Sequence, residues 1–132
     1  PNVRRLFPDF APVERDYYSR TGIFPIMHTL VINNEVYAQH PWVAGSLFDA
    51  WVRAKQTAYR ELYETDALKL MLPWVVSEVE EMRTLMGDDF WPYGIKANKV
   101  VLGAFSQYLV EQGLVDRPLQ AQDLFAPNTL DT

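Results

Sequence analysis

The ten residues Ile23 to Ile32 carry no charge beyond what His28 can acquire, and turn signals bound them at Thr21-Gly22 and Asn33-Asn34. Within them, Ile26-Met27-His28-Thr29-Leu30-Val31-Ile32 is β-branched and apolar with no polar alternation, the pattern of a strand buried on both faces. One strand cannot satisfy its own backbone donors and acceptors. The sequence offers no second convincing strand, so residues 26–32 are expected to need companions from outside this chain.

Everything after Asn34 has helical character. A short turn is expected at Asn34 to Gln39. Pro41 then suits the first position of a long helix running to about Tyr63, with Ala44, Leu47, Phe48, Trp51, Ala54, Ala58 and Leu62 on one stripe. Thr65 can cap a brief helix over Asp66 to Leu72 that ends at Pro73. The next helix is expected from about Trp74 to Met86, with Gly87 as its C-terminal cap. Asp88 to Gly94 reads as a loop. A last long helix covers about Ile95 to Gln112, with Val101, Leu102, Phe105, Tyr108 and Leu109 inward and Gly113 as its stop, and a short helix is expected at Ala121 to Phe125.

Residues 1–25 differ in kind. Pro1, Pro8, Pro12 and Pro25 interrupt them, and they read as an extended arm with one short helix at Val13 to Ser19. The arm's Leu6, Phe7, Phe10, Tyr17 and Tyr18 have no core of their own. With the unpaired strand they predict exposed apolar surface, and hence self-association or exchange of the arm between chains.

Charge and composition exclude several classes. A net charge of -5 is not that of a nucleic-acid binder, and 48% hydrophobic residues is not the profile of a disordered chain. With no cysteine there is no disulfide framework and no thiolate site. Two histidines 12 residues apart match no short zinc spacing, so no metal is expected. The acidity is concentrated in residues 61–90, where eight carboxylates face only Lys69 and Arg83, and it reads as solvated helix faces. No apolar run approaches the roughly 18 residues that span a bilayer, and the N-terminal stretch has no h-region, so the expectation is a cytoplasmic chain without a membrane partner.

His28 is the residue with most chemical scope. In an apolar strand, burial favours its neutral imidazole and a nearby carboxylate favours the charged one, so it reads either as a hydrogen-bonded structural histidine or as one that faces a ligand or transfers a proton. His40, beside Pro41, reads as structural. Arg4, Arg5, Arg15 and Arg20, interleaved with Tyr17 and Tyr18, suit a small aromatic anion through guanidinium contacts and ring stacking, or ordinary ion pairs on the surface. Trp91-Pro92-Tyr93-Gly94 sets two aromatics just before a helix N-terminus, where they serve a carboxylate ligand or plug the loop against the core. No Gly-rich phosphate cradle, nucleophile triad or metal-ligand cluster is present in the sequence.

The runs Arg5-Leu6-Phe7-Pro8-Asp9, Tyr17-Tyr18, Thr21 to His28, His40 to Ala44, Leu72-Pro73-Trp74, Gly87 to Gly94 and Leu124 to Pro127, in that order, resemble the C-terminal portion of the 4,5-dihydroxyphthalate decarboxylase family. That resemblance implies a chain that is mainly α with one or two strands, cut from a two-lobed α/β fold like the type II periplasmic-binding proteins. Residues 1–25 would be the crossover from the second lobe, and residues 26–132 the helical C-terminal part of the first. It implies non-oxidative loss of carbon dioxide from an aromatic dicarboxylate to give protocatechuate, without a cofactor. His28 would hold a phenolic hydroxyl or relay the proton, Tyr18 and Arg20 would lie near the carboxylates, and Trp91 and Tyr93 at the rim. The piece itself is expected to be inactive alone. The alternative is a solute-binding or ligand-sensing protein that uses the same cleft without chemistry.

Overall fold

A computed structural model describes residues 2–132; Pro1, the first residue of the expected arm, lies outside the described residues. Six helices and one 3-10 turn follow one another: α1 Phe10–Thr21, α2 Asn34–Gln39, α3 Trp42–Tyr63, α4 Val75–Met86, α5 Lys99–Glu111, α6 Ala121–Leu124, and the turn Pro127–Thr129. No strand occurs among the described residues.

The longest helix organises the rest. α3 starts where Pro41 adopts helical backbone angles, and it packs against α2, α4 and the C-terminal 3-10 turn. α2 is a true helix rather than a turn, because the Asn33 side chain accepts hydrogen bonds from the backbone N–H groups of Glu35 (2.7 Å) and Val36 (3.3 Å). Asn128 closes the α2–α3 corner by donating to the Pro41 carbonyl (2.9 Å) and accepting from the Tyr37 hydroxyl (3.0 Å). α5 stops in a Schellman arrangement: Leu114 N–H reaches the Leu109 carbonyl (2.9 Å), Gly113 N–H reaches Val110 (2.9 Å), and Gly113 takes φ +69°, which its missing Cβ permits. Ser106, buried in α5, donates to the Leu119 carbonyl (3.0 Å) and accepts from Leu119 N–H (2.7 Å), so the tail folds back along the helix.

The core is thin. Among the described residues Ala44, Val75, Val79 and Phe90 are the buried apolar side chains, and no large side chain is completely enclosed. The chain exposes 10571 Å², about half as much again as the roughly 7,100 Å² of a compact monomer of 15.3 kDa. Among the described residues no helix is long and apolar enough to cross a membrane.

The largest difference from the sequence reading is at residues 26–32. They form a run without regular structure instead of a buried strand, exposed from Ile26 to Val31, with Val31 87% exposed, and half-buried only at Ile32. β-propensity expresses a preference for a pleated, half-covered surface, and no neighbouring strand supplies one here. The helix expected over Asp66 to Leu72 is also absent. Those residues bend irregularly and Met71 is fully exposed, since seven residues ending against Pro73 neither nucleate a helix nor let Leu72 take helical angles easily. In the second half of α3, Trp51, Ala54 and Ala58 face solvent and the packed face rotates to Val52, Lys55 and Tyr59. In α5, Phe105 and Tyr108 are exposed where inward positions are expected, and the buried one is Ser106. The arm's helix is longer than Val13 to Ser19, and α5 begins at Lys99 because Ile95 to Asn98 form a turn.

Candidate functional site

Lys55, Tyr59 and Tyr63 recur every four residues on α3, so their side chains line up along one face. The loop Asp88 to Gly94 lies across that face. Gly87 ends α4 with its N–H on the Arg83 carbonyl (2.9 Å). The Arg83 guanidinium then grips Asp88 Oδ1 through Nε (2.8 Å) and Nη2 (2.6 Å) while lying 4.7 Å from the Tyr63 ring centroid. Tyr63 donates its hydroxyl to the Asp88 carbonyl (3.0 Å).

The next residues are held more tightly. Lys55, only 11% exposed, donates to both Asp89 carboxylate oxygens (2.7 and 2.9 Å) and to the Trp91 carbonyl (3.1 Å). Its ammonium also sits 4.7 Å from the Tyr93 ring centroid and 5.6 Å from that of Tyr59, so the cation faces a carboxylate, a carbonyl and two aromatic rings. The Tyr59 hydroxyl donates to Asp89 Oδ1 (3.0 Å) and accepts from Trp91 N–H (2.8 Å). Burial pushes the Tyr59 phenol above its ordinary value; the Trp91 N–H opposes this and the bond to Asp89 adds to it. Phe90 is buried with its ring 4.9 Å from that of Tyr59. Asn98 closes the loop by donating to the carbonyls of Pro92 (2.9 Å) and Gly94 (2.8 Å). Gly94 is required there: it takes φ +93°, and a Cβ would come within 2.8 Å of the Thr132 carbonyl carbon.

Of the five residues expected at a site, Trp91 and Tyr93 share this latched loop. Trp91 is exposed on its outer side, and its ring lies 5.7 Å from that of Phe24, tilted by 57°. Phe24 is four residues ahead of His28, so this contact ties the loop to the segment that carries the imidazole. His28 itself is exposed on that segment. Tyr18 is half-buried on α1, and its carbonyl receives Gly22 N–H (2.7 Å). Arg20, exposed on the same helix, is engaged by Asp16 Oδ2 through Nε and Nη2, both at 2.9 Å. His40 packs edge-on to Trp42, 6.2 Å between centroids.

None of the five lines either of two open surface hollows among the described residues. One of these is a groove of about 480 Å³ lined by Arg15, Ser77, Glu80, Glu81, Thr84 and Leu85, and the other, of about 340 Å³, is lined by Arg5, Leu6, Phe7 and Phe10. In the first, Arg15 bridges α1 to α4 through Glu78 and Glu81, both at 3.1 Å. Among the described residues no group of three or more His, Cys, Asp or Glu side chains is placed to hold a metal ion.

Sequence reading passes over Lys55, Tyr59 and Asp89. The available signal is their spacing: a lysine and a tyrosine four apart beside the apolar stripe of a long helix. The acidic residues read as solvated faces are exposed, as expected, and four of them, Glu78, Glu81, Asp88 and Asp89, also pair with Arg15, Arg83 and Lys55.

No family model matches the chain. Over all 132 of its residues it is 38% identical to the 4,5-dihydroxyphthalate decarboxylase of Comamonas testosteroni. The chain spans 40% of the length of that curated relative. The resemblance read from the sequence motifs therefore holds from one end of the chain to the other.

Proposed function

We propose that this chain is the C-terminal portion of a carboxy-lyase that removes carbon dioxide from an aromatic dicarboxylate of the 4,5-dihydroxyphthalate type, built on a two-lobed α/β fold. The observation that carries this reading is the 38% identity to the decarboxylase over the entire chain. The thin core and the exposed run at residues 26–32 support it further, since both are what a polypeptide with some of its natural contacts elsewhere would have.

The chemistry asks for few groups. The bond between one carboxylate carbon and the ring breaks, its electron pair passes into a ring polarised by the hydroxyl para to that carbon, and the carbon takes up a proton as carbon dioxide leaves. The retained carboxylate needs a cation, and the departing one a less polar environment. In this reading His28 holds the phenolic hydroxyl or relays the proton. Arg20 and Tyr18 face the carboxylates, and Trp91 and Tyr93 form an aromatic rim. Arg20 would exchange Asp16 for a substrate carboxylate, a small cost at an exposed pair.

The test is carbon dioxide release from 4,5-dihydroxyphthalate by the full-length protein that carries this chain and by its His28→Ala variant. Because His28 is exposed, the variant is expected to keep its stability and lose turnover by at least about a hundredfold. Undiminished turnover removes His28 from the reaction. Tight binding without gas favours a solute-binding protein over an enzyme.

A further inference from the structure

We infer that Lys55 and Tyr59 are positioning residues that fix Trp91 and, through it, the path of the chain from Phe24 to His28; the inference rests on the reading that Trp91 and His28 serve one site. Trp91 is held by its backbone from both sides: its N–H by the Tyr59 hydroxyl at 2.8 Å and its carbonyl by the Lys55 ammonium at 3.1 Å. Those two anchors are themselves joined through Asp89, which takes a hydrogen bond from each. A peptide gripped at N–H and carbonyl has little freedom to rotate, so the indole it carries has a defined origin.

The indole in turn meets Phe24 at 5.7 Å. Phe24 is half-buried, whereas residues 25–31 beyond it are all exposed. Phe24 is thus the last point at which the run is seated before His28. An anchor on α3 thereby reaches a residue far away in sequence through one loop peptide and one aromatic pair. Lys55 is tied to a carboxylate and a carbonyl, and a lysine kept to bind a ligand would leave its ammonium uncommitted.

Solution NMR of the full 132-residue chain tests this with Tyr59→Phe, which keeps the ring that packs on Phe90 and removes only the hydroxyl. The Trp91 amide is expected to exchange about tenfold faster, and the cross-relaxation between the Phe24 and Trp91 rings to weaken, while the Val79 and Leu102 amides keep their rates. Lys55→Gln, with the Tyr59 hydroxyl intact, is expected to weaken the same ring contact. Unchanged Trp91 exchange and ring contact overturns the inference, and so does an equal acceleration at Val79 and Leu102, which would mark a general loss of stability. Should Tyr59→Phe fail to fold, Lys55→Gln decides; failure of both to fold also overturns it. In the full-length protein, with 4,5-dihydroxyphthalate as substrate, Tyr59→Phe is expected to raise KM severalfold more than it lowers kcat. A full-length wild-type protein that releases no carbon dioxide defeats the functional reading alone, and the amide and ring readouts still decide the positioning role.

Discussion

The loop Asp88 to Gly94 and the run Ile23 to Ile32 invert the usual expectation about what holds a chain in place. The loop is rich in charge and aromatic rings, and it is pinned by Lys55, Tyr59, Tyr63, Arg83 and Asn98. The run is almost wholly apolar, yet beyond Phe24 it is largely exposed. Hydrophobicity drives burial only where there is something to be buried against, because the gain scales with apolar area removed from water on both partners. Hydrogen bonds and ion pairs are shorter-ranged and directional, and one helix face carrying the right side chains satisfies them. A local polar match can therefore order a segment that a strong but unmatched apolar pattern cannot.

If that contrast is right, the two segments respond oppositely to substitution. Phe90→Ala removes the loop's one buried side chain and is expected to cost about 3 kcal/mol in chemical denaturation, near the low end for a buried aromatic because the surroundings are loosely packed. A cost under about 1 kcal/mol would mean that the polar contacts alone hold the loop. An alkaline titration probes those contacts. The Tyr59 phenol is raised above its ordinary value of 10.0. Below that pH it is neutral in both folded and unfolded chains, and its contribution is complete. Above it the unfolded chain ionises first, so stability falls as pH rises toward the folded value. Unfolding midpoints followed with tyrosinate absorbance are expected to hold up to about pH 10 and then decline, with the decline reduced in Tyr59→Phe. The smallest effect belongs to the run: Val31→Glu is expected to shift stability by less than about 0.5 kcal/mol in the same denaturation assay. A larger loss would show that the run is packed in solution.

The parts of the fold visible in the sequence are those set by neighbours in sequence. The span of α3, the end of α4 at Gly87, the stop of α5 at Gly113 and the Asp88 to Gly94 loop follow from periodicity and from where glycine and proline fall. The unpaired run reads as a strand in the sequence and is none in the structure for the same reason: local propensity reports β, and pairing is not a local property. Similarly, Trp51, Ala54 and Ala58 belong to the stripe by period but have no partner to cover them. The latch escapes a linear reading because Lys55 and Asp89 are 34 residues apart, and nothing near either one announces the other. Trp91 and Tyr93 stand out as a paired aromatic feature in the sequence, but the groups that fix them do not.

Every hydrogen bond at Tyr59 runs in one sense. The Trp91 peptide gives to the phenol oxygen, and the phenol gives to a carboxylate that is also drawn on by an ammonium. Such a unidirectional relay polarises each member in turn, so the negative charge of Asp89 is felt, through an intervening hydroxyl, at a backbone amide it does not itself touch. The neutral phenol is what allows this, since an ionised one would have no proton to pass on and the sequence of dipoles would break at its centre.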